Sequence, residues 1–485
     1  MLTGLSGLSG LSGLIGIAGD GIANPEARSY FLAAGITDPT QRLAYDTLVT
    51  DLKAYGIYSK IIALYPFLGG TAASHKWNAI NPLDTDAAFR IVWNGGVTHD
   101  ANGVQMNGTT GYGDTKINCS THLTSNDAGL FFYERTGTAS GYDLAASTGG
   151  TTDFYVLWNN LNAAGNRGQV AFGTTSRTNA SSTTAKTGFW TGMGETTPTN
   201  RGYRNGRSLA SASPARTAYP NLNLFLGAIN NSGTAAGFSN HQYLLAGACK
   251  FLNATENYNF NLAVLKYQTT LGRHVLDPFQ LVTSRSQGLG STGGTTSAGI
   301  NTTNATIIVV SLSYYAPGET GDVAVTDNFG NTYMMLTKNA NAQVANRLYY
   351  CKNPIVGSGH TFTATGGLAF FAISVLALAG AVTIVDPFES QNGANSASSS
   401  TLATGSVTPS VAGSLVVAGL TFDNNAAGAV SIDNGLSAIS TAYNAGVSMG
   451  TGIAWKIQTG AVNPTWNITN LSPIAASVAV FKQGY

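Results

Sequence analysis

The chain has 485 residues; 10% are charged, 43% are hydrophobic, 59 are glycine, and the formal net charge is +1. An ordinary soluble domain carries about 25% charged residues. So few charges, balanced at 24 Lys+Arg against 23 Asp+Glu with no long basic run, leave no electrostatic footprint for nucleic acid or an anionic membrane, while the hydrophobic share excludes a disordered chain.

Residues 1–24 carry glycine at every third position: Gly4, Gly7, Gly10, Gly13 and Gly16. Leu5, Leu8 and Leu11 follow in phase. Glycine at this period suits extended chains packed around a crowded axis, and a leucine stripe is costly to leave in water. The segment is expected to be a self-associating or socketed attachment peg, without the prolines of collagen. Its start, Met-Leu-Thr-Gly, has no Lys or Arg before the apolar stretch, so a secretory leader is not expected.

Residues 25–64 predict two short helices. Pro25 stands in the first turn of one and Gly35 closes it; Asp38 or Thr40 caps the next. Leu43, Tyr45, Leu48, Leu52 and Tyr55 recur at three- and four-residue spacing and predict an apolar face. That face needs a partner, either the next domain or another subunit.

From 65 to 275 the rhythm changes to short strands such as AFRIVW, GLFFYERT and DFYVLW, separated by Gly, Asn and Thr, with a helical stretch over 253–270. This predicts an antiparallel sandwich. Residues 276–302, rich in Gly, Ser and Thr, read as a linker, and 392–401 as a polar loop. Residues 303–485 predict a second all-β domain. The uncharged run 366–385 is long enough to span a bilayer, but it sits among strand signals and predicts two buried strands, so no membrane insertion is expected. The expected fold class is therefore mainly β, two antiparallel β-sandwich domains behind a Gly-repeat segment and two helices.

Cys119, Cys249 and Cys351 are distant and odd in number, which predicts buried thiols rather than a disulfide framework. A retaining glycosidase needs two carboxylates about 5 Å apart, yet Glu134, Glu195, Asp143 and Asp153 stand isolated in sequence. GxSxG occurs once, as GVSMG at Gly446–Gly450, but among strand signals with no helix pattern after it, so it does not read as a nucleophile elbow; no phosphate-binding loop occurs. The six histidines, His75, His99, His122, His241, His274 and His360, are scattered and read as polar surface or loop residues. No cofactor and no catalysis are expected. Sugar contact is the more serious option, because sugars stack on aromatic faces and are anchored by amides. Trp158, Asn159 and Asn160, with Trp190 and Tyr203, are the candidate glycan contacts, set against a core role for both tryptophans. Asp84, Asp86, Asp100 and Asp114 offer loop carboxylates, and structural calcium is left open because no spacing matches a dedicated loop.

The text LYPFLGGTAASHKWNAINPLDTDAAFRIVWNGGVTHDANGVQMNGTTGYGDT, the hairpin GYRNGRSLA and the helix FLNATENYNFNLAVLKYQTTLGR together resemble the laminin-G-like, concanavalin-type jelly rolls of phage and prophage structural proteins. Residues 303–485, with DNFGNTY and RLYYCKNPIVGSGHTFTAT, are similar to immunoglobulin-like sandwiches of viral and bacterial surface proteins. The resemblance implies a virion location, a homo-oligomer (a trimer by preference), partners among capsid or tail proteins, and adhesion to host surface glycans. Capsid cement without a receptor, and a bacterial surface adhesin, are the alternatives.

Overall fold

A computed structural model describes residues 21–483, apart from 124–125, 137–140, 150–152, 163–164, 175–176, 180–186, 196–198, 217–218, 276–277, 291–293, 297, 318–322, 367–369, 381–385, 424–429 and 445–448; at 158–162, 165–167, 179, 290, 438–440 and 443–444 it describes backbone only. The peg residues Gly4, Gly7, Gly10, Gly13, Gly16, Leu5, Leu8 and Leu11 lie outside the described residues. The chain is mainly β and divides into two compact units, up to Val275 and from Leu276.

In unit 1, α1 (Pro25–Ala34) starts on Pro25 and ends where Gly35 turns left-handed at φ 68. In α2 (Pro39–Ala54) the Asp38 carboxylate accepts the Gln41 N–H at 2.8 Å. In α3 (Ala254–Thr270) Asn253 and Glu256 cap each other reciprocally. One sheet runs Arg207–Ala212, Asn200–Arg204, Gly188–Gly194, Ala128–Thr136, Gln242–Cys249, Gly103–Met106 and Val97–Asp100, with Ile61–Tyr65 also on Gln242–Cys249. A second sheet, built around Phe154–Asn162, Leu144–Ser147 and Asn223–Leu226, faces it across a core containing Phe132, Leu157, Trp190 and Tyr243.

The three helices cover the outer face of the first sheet, where Tyr30, Tyr45, Leu48, Phe260 and Tyr267 meet Phe131, Phe189 and Tyr203. The partner of the 25–64 helices is thus their own domain. Their buried stripe is also shifted: Ala44, Tyr45, Leu48, Val49 and Leu52 are inside, whereas Leu43 and Tyr55 are exposed.

Unit 2 is built on eight principal strands: β1 (Gln280–Gly290), β2 (Ile307–Tyr315), β3 (Val344–Lys352), β4 (Phe371–Ala379), β5 (Phe388–Ala403), β6 (Ser414–Phe422), β7 (Met449–Gln458) and β8 (Thr465–Phe481). One sheet has the order β1-β4-β2-β3, with two further short strands, Met334–Met335 and Asn339–Ala340, on β3; another has the order β5-β8-β6-β7, with Ser437–Asn444 on β7 and Ser431–Ile432 on β8. They pack face to face through Ile307, Val309, Leu376, Leu415, Val417 and Phe481.

Two sequence expectations fail here. The 276–302 linker contains β1, and the polar loop 392–401 lies inside β5. Both are edge strands. Their ladder bonds come from the main chain, so Ser, Gly and Asn suffice when the neighbouring strand supplies the apolar face. The apolar run 366–385 contributes β4; among the described residues no helix is long and apolar enough to cross a membrane.

Candidate functional site

The candidate sugar contacts do not assemble. Trp190 pairs with Arg204, and its neighbour Thr191 pairs with Tyr203. Successive residues of a strand point to opposite faces, so Trp190 and Tyr203 diverge. Trp190 enters the core between the sheets and Tyr203 the core beneath the helices, each 2% exposed. Neither offers a ring face to a sugar, and the expectation that they share one is corrected. Trp158, Asn159 and Asn160 lie on Phe154–Asn162, paired with Gln169, Gly168 and Arg167; their side chains are outside the described residues.

The loop carboxylates are spoken for. Asp84 takes Lys76 at 2.6 Å and Arg90 at 2.8 Å, Asp86 takes Arg90 at 3.1 Å, and Asp114 takes Lys116 at 2.9 Å. The hydrogen bond from Lys76, then that from Arg90, holds Asp84 below its ordinary value. Asp100 accepts the Asn102 N–H within its own turn. Acids neutralised by lysine and arginine do not form the anionic oxygen cage that calcium requires, and among the described residues no group of three or more His, Cys, Asp or Glu could hold a metal.

What the sequence did not reveal is a pair of buried histidine–carboxylate constellations. In unit 1, His241 Nδ1 lies 2.6 Å from Asp143 and 3.8 Å from Glu134, and the Tyr243 hydroxyl donates to Asp143 at 2.6 Å. His241, Asp143 and Glu134 all have 0% exposure. The residues are up to 107 positions apart, so no local motif announces them.

In unit 2, Thr302 Oγ1 lies 2.8 Å from His360 Nδ1, and His360 Nε2 lies 2.9 Å from Asp327 Oδ2. The hydroxyl–imidazole–carboxylate order is that of a nucleophilic triad. The surroundings make it structural. Thr302 Oγ1 is also engaged with Gly357, the imidazole is held between Phe362 and Phe329 at 4.4 Å each, and Thr302 and His360 are fully buried. Asp327 accepts from Asn331 at 2.8 Å and Tyr333 at 2.7 Å. Burial pushes this carboxyl up, but those hydrogen bonds together outweigh it and hold it below its ordinary value. His75, His241 and His360 are therefore core residues rather than surface ones.

The three thiols are free and buried. Burial pushes all three above their ordinary value, Cys351 to about 11. Since the thiolate is the reactive form, no thiol should react rapidly with an aromatic disulfide reagent at pH 8 in the folded protein, and three should react after denaturation. Fast colour development from the native protein would contradict this.

No protein-family model matches the chain, and no curated protein matches it. Among solved structures, Ruminococcus gnavus IT-sialidase CBM40 is similar over 35% of this chain and 93% of its own length, at 13% identity and a TM-score of 0.25. A mutant of NanB sialidase from Streptococcus pneumoniae is similar over 80% of this chain at 9% identity and a TM-score of 0.26; this chain spans 65% of that one. At these scores the likeness says nothing of activity or ligand.

Proposed function

We propose that the chain is a bacteriophage virion structural protein, a fibre or decoration protein that is held to the particle by residues 1–24 and projects its β units for adhesion to host surface glycans. It acts as a homo-oligomer, a trimer by preference, with capsid or tail proteins as partners, and it catalyses no reaction. The observation that carries the reading is the build. Two compact β-rich units have a charge-poor composition, and their best histidine–acid constellations are committed to internal hydrogen bonds. Recognition then rests on surface shape, with weak contacts multiplied by copy number.

The test is immunogold labelling of intact phage particles with an antibody to residues 303–485. Gold on head or tail is expected; no gold on any particle would defeat the virion reading. Deletion of residues 1–20, which keeps Ile22 in the core and Asn24 on Asp46, is expected to abolish incorporation while both units still fold, and normal incorporation of that variant would refute the peg. A glycan-array screen separates adhesion from the cement role, which predicts no sugar binding.

A further inference from the structure

We propose that unit 2 is a tandem duplication: one module occurs twice, as Gln280–Ala379 and as Phe388–Phe481, and the two copies face each other about an internal two-fold axis through a self-complementary surface. The strand orders β1-β4-β2-β3 and β5-β8-β6-β7 are the same order displaced by one copy. The register makes the equivalence residue by residue. Ile307 stands opposite Lys352 and Leu378, and Leu415 stands opposite Ile457 and Phe481. Lys352 and Ile457 each follow a left-handed turn glycine, Gly330 and Gly435, by 22 residues, so their partners Ile307 and Leu415 are counterparts, and IIVVSLSY aligns with LVVAGLTF without a gap.

The turn before the third strand is also built twice. Asn328 exchanges main-chain and side-chain bonds with Thr361, as Asp433 does with Thr465, and each turn closes on a left-handed glycine, Gly330 and Gly435.

The axis can be located from residues that touch their own counterparts. Ser311 corresponds to Gly419, and a Cβ placed on Gly419 would lie 2.5 Å from Ser311 Oγ. Ser313 corresponds to Thr421, and their hydroxyl oxygens are 2.7 Å apart. A position that meets itself lies on a two-fold axis, and two such positions along one strand direct the axis along β2 and β6. Clusters at both ends agree: one holds Val344 with its counterpart Met449 and Ala372 with Ala475, the other Val309 with Val417. The interface is isologous, the arrangement of a symmetric homodimer, realised within one chain.

The functional consequence follows from the axis direction. Equivalent loops emerge at the same end, so the Asn328–Asn331 turn and the Asp433–Gly435 turn are carried at one end of unit 2. Unit 2 is in this sense a two-armed platform.

The test is a swap of the on-axis pair in the full-length chain. Gly419→Ser alone puts two hydroxymethyl groups at one point and should lower the unit 2 transition by several degrees in calorimetry. Adding Ser311→Gly exchanges the counterparts and removes the nearest of three close contacts, the others being Asn346 Oδ1 at 2.8 Å and Leu348 Cδ2 at 2.9 Å, so it should recover part of that loss. A double variant no better than the sum of its singles would overturn the two-fold relation. Should Gly419→Ser fail to fold, the pair Ser313→Cys with Thr421→Cys gives the second reading. An intrachain disulfide between them, seen by mass spectrometry after oxidation, supports the self-contact, and its absence overturns it.

Discussion

Replacing Arg273 by leucine is expected to destabilise unit 1 by about 4 kcal/mol, the scale of several buried acceptors losing their donor at about 1–3 kcal/mol each. For a unit of this size that corresponds to a fall of roughly 10 °C in its melting temperature. Arg273 is 3% exposed. Its Nε donates to Gln268 at 3.0 Å, Nη1 to the Phe67 carbonyl at 2.9 Å, and Nη2 to the carbonyls of Leu244 and Pro66 at 3.3 and 3.4 Å. Its guanidinium also lies over the Tyr267 ring. Burial pulls Arg273 below its ordinary value, partly offset by Tyr267. One side chain thus ties the end of α3 to the strand Gln242–Cys249 and to the segment after Ile61–Tyr65, where Phe67 is held at a positive φ of 46.

Leucine keeps much of the volume but takes this donor from the Phe67 and Leu244 carbonyls, each a loss of about 1–3 kcal/mol before relaxation, while the Pro66 carbonyl keeps the Tyr267 hydroxyl at 2.9 Å. Lysine keeps the charge but not the planar fork, so an intermediate loss is expected. Calorimetry on the full chain provides its own control, because the unit 2 transition should stay in place. A leucine variant within about 1 kcal/mol of the parent would mean that water replaces the guanidinium.

Arg273 belongs to the part of the structure that sequence patterning conveys poorly. Strands such as Ala128–Thr136 and β2 are legible because consecutive apolar residues buried on both faces leave few alternatives. Helix ends are legible where Asp38, Asn253 and Gly35 mark them. Edge strands β1 and β5 are not, because a main-chain ladder makes little demand on side-chain type, and Ser-, Gly- and Asn-rich text reads as loop.

The His241–Asp143 pair is equally hidden, since its 98-residue separation is closed only by the fold. The duplication in unit 2 is different in kind. Its signal is present in IIVVSLSY and LVVAGLTF, but small apolar strand residues recur throughout such a protein, and register is needed to tell descent from composition. The sugar-contact assignment of Trp190 and Tyr203 failed for a related reason: nearness in sequence says nothing of face until strand pairing is known.

Acidification from pH 7 to pH 5 should remove about 2 kcal/mol from unit 1 through His75 alone. His75 Nε2 accepts the Gly70 N–H at 3.1 Å, which places the ring proton on Nδ1, facing His99 Nδ1 at 3.1 Å. Either ring, once protonated, sets N–H against N–H. Burial, then the charges of His99 and Arg273, lowers His75 from 6.5 to about 3; burial also lowers His99, opposed by Asp100. The folded state therefore prefers neutral imidazole while the unfolded chain takes a proton near pH 6.5. The contribution is complete above that pH and is lost progressively as pH falls from 6.5 towards 3. At pH 5 the gap of 1.5 units corresponds to about 2 kcal/mol.

Urea midpoints of unit 1 at the two pH values measure it. His75→Phe should be less stable at pH 7, where the Gly70 N–H loses its acceptor, yet should lose less on acidification. An undiminished loss in that variant would move the acid sensitivity to another group. Unit 2 supplies the contrast. Asp327 is held below its ordinary value of 3.8, so its contribution is present above that value and is lost only as pH falls through the lowered one. Unit 1 should therefore loosen first on acidification, with unit 2 still folded at a pH where the His75–His99 contact has already been lost.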